Sequence, residues 1–409
     1  MRPRARTALL TCAALAALAT SAGPALAAST GPALAASAVP ALGANDGLGA
    51  ASHSTGQRLS WRIVPSPNAG PAPLNTLSNV SCPSATACIA VGNHHWDQHN
   101  AALIESWNGT TWSIVPSPSR PIAALDSISC VSARACTAVG NFGFPVAMTL
   151  IESWNGTRWT VVHSPNPTPS SDTFLSGVSC PAVNACTAVG FYYFSARVIK
   201  TLAESWNGTR WSIVPSPNGP HPGNEGNALQ GVSCLSARAC TAVGSTGHKT
   251  LIESWNGTMW SIVPSPSRMP GTLLNVLHGV SCVSATACTA TGTVTGKGLI
   301  ESWNGTTWSI VPSPNAGGAL INLAGVSCVS VRACTAVGDF FGGNGVDKTL
   351  IESWNGTTWS VVPSPNAVHG AGAINVLGGV SCASAATCVA VGNYIKGNTS
   401  KTLTELGTP

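Results

Sequence analysis

Seven glutamates stand at near-equal intervals along the chain: Glu105, Glu152, Glu204, Glu253, Glu301, Glu352 and Glu405. A carboxylate can serve as acid, base or nucleophile, so a recurring Glu invites a catalytic reading. Each copy, however, lies in the same setting, a stretch such as TLIESWNG, and a catalytic group is needed once whereas a strand position is needed in every repeat. These glutamates therefore read as structural hydrogen-bond acceptors.

Cysteine offers the second chemistry. Setting Cys12 aside, the cysteines form CxxxxxC pairs: Cys82/Cys88, Cys130/Cys136, Cys180/Cys186, Cys234/Cys240, Cys282/Cys288, Cys328/Cys334 and Cys382/Cys388. A pair flanking a five-residue turn such as PSATA (Pro83 to Ala87) places two side chains opposite each other on antiparallel strands, at a separation that suits a disulfide. Each pair is thus expected to be a local staple on its hairpin. Structural zinc sites favour CxxC spacing with a second pair or histidines nearby, and no repeat supplies them. Catalytic thiols would want a matching histidine in each repeat, which is also missing. The third candidate is NHHWDQHN, where His94, His95, Asp97 and His99 could offer metal ligands. Adjacent His94 and His95 point apart in an extended chain and a flexible loop bears an ordering cost, so a solvated polar loop is the preferred reading, with no metal and no cofactor.

The elements that must position these residues repeat with them. The first cysteines of the pairs run from 82 to 382, a mean spacing of 50 residues, which is the period of propellers and solenoids. Each unit reads as four short β segments. Segment A is LxGVSC (Leu229 to Cys234), B is ACTAVG (Ala239 to Gly244), C is TLIESWNG (Thr250 to Gly257) and D is WSIVPSP (Trp260 to Pro266). Period-two alternation in C, with Leu251, Glu253 and Trp255 on one side and Ile252 and Ser254 on the other, supports strands. Asn-Gly between C and D signals a short hairpin, since both residues tolerate positive φ. The prolines of VPSP end D because they cannot donate to a sheet ladder. The paired Trp of C and D are expected to pack the blades.

Four antiparallel strands per unit predict an all-β, seven-bladed β-propeller. The chain begins its repeats with a D segment lacking a C, at 61–66, and ends them with a C lacking a D, KTLTEL at Lys401 to Leu406. The N-terminal strand 61–66 is thus expected to complete the C-terminal blade and close the ring, leaving no open sheet edge. An open solenoid is the alternative, but it would want polar, atypical caps that neither end provides.

These units, with GVSC at Gly279 to Cys282 and SWNGTTW at Ser302 to Trp308, resemble Asp-box (BNR-type) and photosystem II assembly-factor-type propeller repeats. They resemble more closely secreted repeat proteins of high-GC bacteria, over residues 58–407. Asn-Gly replaces the Asp-box acid and glycine, with one residue fewer between Ser and Trp, so an Asp-box role is not carried over.

Arg2, Arg4 and Arg6 precede an apolar run from Ala8 to Ala19 and then ALA at Ala25 to Ala27, the layout of a secretory signal peptide too short to span a bilayer. The domains expected are a signal peptide, 1–28, an Ala/Gly/Ser-rich flexible lead-in, 29–57, and the propeller, 58–407. Later residues hold no membrane span. Without the three arginines the basic count falls from 19 to 16 against 14 acids, a balance that disfavours nucleic acid as partner.

Connections A to B and C to D keep nearly constant length, whereas B to C and D to A vary. In antiparallel blades the variable pair shares one end, where scaffolds place function. The B-to-C segments hold Trp96, Phe142, Phe144, Phe191, Tyr192, Tyr193, Phe194, Phe340, Phe341 and Tyr394, together with Lys200, Lys249, Lys297, Lys348 and Lys401; Phe174 lies in a D-to-A segment. Two readings of this set stay open: a recognition surface, or aromatics that only close hairpin ends and lysines that only solvate strand starts. The unrepeated acids Asp97, Asp126, Asp172, Glu225, Asp339 and Asp347 are placed in loops and form no catalytic constellation. NGT at Asn108, Asn155, Asn207, Asn256, Asn304 and Asn355 also fits a glycosylation acceptor, although a tight turn explains it without sugar.

The function expected is a secreted, non-catalytic binding propeller, monomeric and extracellular or cell-wall associated, whose variable end meets a glycan, polymer or protein. The alternatives are a glycosidase- or lyase-type propeller enzyme and a structural envelope protein.

Overall fold

The computed structural model describes residues 58–409 apart from 71–73, 97–98, 119–121, 168–170, 196–197, 220–225, 267–274, 315–319 and 343–344, and omits the side chains of Trp96 and His99. The expected signal peptide and lead-in lie outside the described residues, as do Asp97 and Glu225. The described residues belong to one compact unit, Ser54–Pro409, and contain strands and turns but no helix.

The fourth repeat shows the plan. Strands Asn227–Ser236, Ala239–Thr246, Lys249–Trp255 and Trp260–Ile262 pair consecutively and antiparallel. The other repeats follow it, and the last, Ile374–Ser384, Thr387–Lys396 and Thr399–Thr408, takes its outer strand from the other end of the chain. Ser60–Ile63 pairs antiparallel with Thr399–Thr408, in a register that sets Trp61 opposite Gly407 and Ile63 opposite Glu405. The pairing corresponds to the expected terminal strand, shifted from 61–66 to Ser60–Ile63. The prolines beyond it leave the ladder early, and D strands throughout are only three or four residues long.

Both faces of each C strand are buried. Leu251, Ile252 and Glu253 are all within 1 % of complete burial, because one face packs within its own unit and the other against the next. Val243 and Ile252 of the fourth unit accordingly pack with Leu277, Ala290 and Leu299 of the fifth. The glycine of AVG answers a close approach: a Cβ at Gly244 would collide with the Ala228 carbonyl where segment A bulges past it.

The A-to-B connection is tighter than a five-residue turn. Cys234 pairs directly with Cys240 and Ser236 with Ala239, so a bulge at Leu235 and a two-residue turn close the hairpin. The expected disulfides form at every described pair, with Cα atoms 3.9–4.1 Å apart.

Each disulfide is the local staple expected, and its second sulfur is also core. The second cysteines, Cys88, Cys136, Cys186, Cys240, Cys288, Cys334 and Cys388, are all buried and belong to the hydrophobic clusters of the blades. Cys88 packs with Trp107 and Trp112, Cys136 with Trp159, Cys186 with Trp211, and Cys388 with Trp61. The reason is strand alternation: the second cysteine sits on the B strand, whose inward face meets the paired Trp of C and D. Oxidised sulfur carries no hydrogen, so it can only accept. The Thr137 hydroxyl reaches Cys186 Sγ across one seam at 3.8 Å, and Thr335 reaches Cys388 Sγ across another at 3.7 Å. The C-strand Trp also reaches over the hairpin, its indole N–H donating to the turn carbonyl, as Trp255 does to Ala237 at 3.1 Å.

The C-to-D connection is longer than a two-residue hairpin. Trp255 pairs with Trp260 across a four-residue loop, and only its glycine has positive φ, 95° at Gly257. Asn256 Oδ1 accepts from the amides of Thr258 and Met259 and from the Thr258 hydroxyl at 2.7–3.0 Å. Asn acts through its side chain, not through a left-handed backbone.

Two repeated hydrogen bonds join neighbouring units. The serine before the first cysteine of each pair accepts from the cysteine amide of the next unit: Ser129 from Cys180 at 3.0 Å, Ser179 from Cys234 at 2.9 Å, and Ser381 of the last unit from Cys82 of the first at 2.9 Å. The serine of VPSP, or of VHSP at Ser164, donates to the glutamate of the next unit, in the pairs Ser66 to Glu105, Ser117 to Glu152, Ser164 to Glu204, Ser216 to Glu253, Ser265 to Glu301, Ser313 to Glu352 and Ser364 to Glu405, at 2.6–3.2 Å. The glutamates are the acceptors expected of them, and their partners come from across the seam.

Candidate functional site

Connections A to B and C to D emerge at one end of the blades. Gly257 of a C-to-D loop lies against the Arg238 side chain of an A-to-B turn, and Gly156 lies likewise against Arg134. The B-to-C hairpins and D-to-A segments meet at the other end, where the Gly247 amide donates to the Gly226 carbonyl and the Gly143 amide to Ile122.

The third unit reaches furthest at this variable end. Its B and C strands, Ala185–Ser195 and Val198–Trp206, extend past the shorter Ala239–Thr246 and Lys249–Trp255 of the fourth. Alternation then sorts the aromatics. Phe191 and Tyr193 share a face with Phe174 of the neighbouring strand: Phe174 stacks on Phe191 at 5.1 Å, and Tyr193 meets both rings edge-on at 6.2 and 6.5 Å. On the opposite face Tyr192 packs into the core between the second and third units. Beyond it Phe194 is 54 % exposed, with Lys200 Nζ 3.8 Å above its ring.

The remaining candidates divide in the same way. Phe142, Phe340 and Tyr394 pack against the buried clusters, as the hairpin-closing reading expects. Phe144 is 77 % exposed on a loop, and Phe341 ends its strand opposite Leu320. Lys249, Lys297, Lys348 and Lys401 are exposed at strand starts. Cross-strand register sets Tyr192 opposite Lys200, Phe340 opposite Lys348 and Tyr394 opposite Lys401.

A cavity of about 410 Å³ at the same end joins the candidate Lys348 to residues that sequence reasoning passed over, Val346, Asn366, Val368, His369, Gly370 and Ala371. Its wall is the D-to-A segment between the sixth and seventh units. That segment is held by the Asp347 amide donating to Ala373 and by Asn375 Nδ2 donating to Val368 and Asp347 carbonyls. The one sequence signal was that AVHGAGA has no counterpart in other units.

Two further readings need correction. The NHHWDQHN stretch is a strand hairpin, not a flexible loop: His94, His95 and Trp96 end one strand and His99 begins the next, with Trp96 opposite His99. Burial lowers the pKa of His94, and no group of three His, Cys, Asp or Glu gathers among the described residues. Asp126, Asp339 and Asp347 likewise lie in strands rather than loops. Asp126 occupies the bulge of the first strand of its unit, where His278 stands in the fifth, and burial moves Asp126 up to about 6 and His278 down to about 4.

The repeated glutamates are chemically sealed. Each is at most 1 % exposed. Burial raises Glu204, Glu253 and Glu405 to about 8 and the other four to about 7, against the opposing pull of the serine hydroxyls. A carboxyl so enclosed and clasped has no path to a substrate.

No family model matches the chain, and no curated protein matches it. Solved structures share its fold. U3-55K superposes with a TM-score of 0.55 at 9 % identity, over 85 % of this chain and 98 % of that one. YCF48 bound to D1 peptide gives 0.51 at 14 %, over 85 % and 94 %. The extracellular domain of the hybrid two-component system BT4673 from B. thetaiotaomicron gives 0.51 at 8 %, over 85 % of this chain and 39 % of that one. U3-55K and YCF48 are β-propeller proteins, and the chain has the β-propeller fold.

Proposed function

We propose that this protein is a secreted, monomeric, non-catalytic binding propeller that recognises a surface glycan, polymer or protein through its variable end. The aromatic set of the third unit carries the reading. Phe174, Phe191 and Tyr193 form a ring cluster on one face of the blade tip, and exposed Phe194 with its Lys200 stands on the other; flat apolar rings and a nearby donor suit sugar faces or an extended peptide. Trp96, Phe144, Phe341, Lys249, Lys297, Lys348 and Lys401 complete the candidate surface, together with the cavity at Lys348 and His369. The peptide bound in the YCF48 structure is a precedent for recognition by this fold, not an assignment of a ligand.

The ring has seven blades in this reading and is closed by the N-terminal strand. The pairing of Ser60–Ile63 with Thr399–Thr408 and the Ser381–Cys82 hydrogen bond support it. The disulfides fit an oxidising, extracellular setting, and the described residues contain no helix long and apolar enough to cross a membrane.

The test is a glycan and cell-wall binding screen on the purified protein, followed by Phe191→Ala with Tyr193→Ala. Tyr192 is left intact because it packs the core. Loss of ligand retention with an unchanged melting curve is expected; retention equal to wild type removes the reading.

A further inference from the structure

The constant end of the blades has a chemistry of its own. Arg134, Arg238 and Arg332 stand exposed in A-to-B turns and Arg158 and Arg210 in C-to-D loops, while no A-to-B or C-to-D connection contains an acidic side chain. Among the described residues the unrepeated acids Asp126, Asp339 and Asp347 lie in strands and Asp172 in a D-to-A segment, so charge is segregated along the blade axis. Four of these arginines form one arc on three consecutive units. The Ser129–Cys180 and Ser179–Cys234 hydrogen bonds hold the neighbouring hairpins of that arc level, and the disulfides brace each hairpin.

The same turns carry exposed apolar tips. Val183 is 65 % exposed, Met259 56 % and Leu235 39 %. The Arg134 and Arg238 stems lie across the glycines of the adjacent loops, keeping methylenes on protein and guanidinium groups outward. Convex turns that interleave apolar tips with unopposed cations fit a surface with an anionic layer above an apolar one. A polyanionic chain would be gripped by the cations alone and has no use for the tips. We infer that this end docks on an anionic lipid surface, the tips entering the headgroup boundary, with the variable end directed away from it.

The experiment is co-sedimentation of the intact, oxidised protein with phosphatidylglycerol-containing vesicles and with phosphatidylcholine vesicles. Binding to the anionic vesicles should exceed binding to the neutral ones by about tenfold or more and weaken with salt. Arg134→Glu with Arg238→Glu should lower it at least about tenfold. Val183→Ser with Leu235→Ser should remove the portion that survives high salt. Should the first pair shift the melting curve, Arg158→Gln with Arg210→Gln repeats the charge test on loops outside the sheet. Equal binding to both vesicles, or retention by both variants, overturns the inference. Stronger capture by soluble polyphosphate that ignores the serine variant overturns it in favour of a phosphate polymer. Phe191→Ala with Tyr193→Ala must leave vesicle binding unchanged, so the two ends stand or fall separately.

Discussion

Across the seam between the second and third units Ser164 donates to buried Glu204, while at the tip of the third unit Phe174, Phe191 and Tyr193 cluster on one face and Phe194 meets Lys200 on the other. The serine and glutamate return at every seam. Among the described residues the aromatic cluster has no copy. The contrast assigns roles without reference to any relative: what repeats holds units together, and what does not repeat is free to meet something else. Replacing residues of either kind should therefore have opposite signatures, stability without binding or binding without stability.

The largest stability loss is expected at the seam that joins the two chain ends. Trp61→Ala removes a buried ring packed with Val337, Ile351 and Leu403 and should cost about 3–5 kcal/mol in chemical denaturation. A loss below about 1 kcal/mol would mean that the terminal strand is dispensable.

Next in size is the glutamate clasp. Glu204→Ala leaves the buried Ser164 hydroxyl only the Thr149 hydroxyl as acceptor, at 2.7 Å, and should cost about 1–3 kcal/mol, whereas Glu204→Gln should cost under about 1 kcal/mol. The clasp also sets a pH dependence. A carboxyl whose folded pKa is raised from 4.5 to about 7 or 8 binds more protons folded than unfolded. The protein should therefore be most stable near pH 4.5 and lose stability as pH rises to about 8. Asp126 and Asp339, raised to about 6, act in the same direction. His278, lowered to about 4, acts in the opposite one between pH 6.5 and 4. Denaturation midpoints between about pH 4.5 and 8.5 should fall by the equivalent of at least about 2 kcal/mol; a rise would break the assignment of the clasps as neutral-favouring sites.

Removing one disulfide, by Cys234→Ala with Cys240→Ala, should cost about 2 kcal/mol for so small a ring. Unchanged ligand retention by that variant would sharpen the contrast. The smallest stability effect belongs to the tip. Phe191→Ala with Tyr193→Ala should move stability by less than about 1 kcal/mol while abolishing ligand retention.

The repeated parts were legible because periodicity carries them. Strand order, cysteine pairing, the stop signals in VPSP and the acceptor role of the glutamates all follow from residues that return in every unit. The glutamates' partners were not legible, since Ser164 meets Glu204 only when one unit's outermost segment is laid against the next unit. Spacing likewise paired Cys180 with Cys186 without showing that Cys186 lies under Trp211, because that contact needs the fourth strand folded back over the second. Asp126 was misplaced because a bulge breaks the alternation from which a strand is recognised. Tyr192 and Tyr193 look alike in sequence, yet one packs against the core cluster and the other joins Phe174 and Phe191 on the opposite face, because a single step along a strand reverses the face. The Lys348 and His369 cavity depends on how an unrepeated segment is pinned, which no pattern announces.

The outer rim of each blade bears on how copies of such a chain meet one another. A stray strand approaching Trp260–Ile262 finds three residues of unpaired backbone and then Pro264 and Pro266, ring nitrogens with no hydrogen to share. So short a landing gives it little to hold, and copies crowded together slide past one another instead of knitting into fibres.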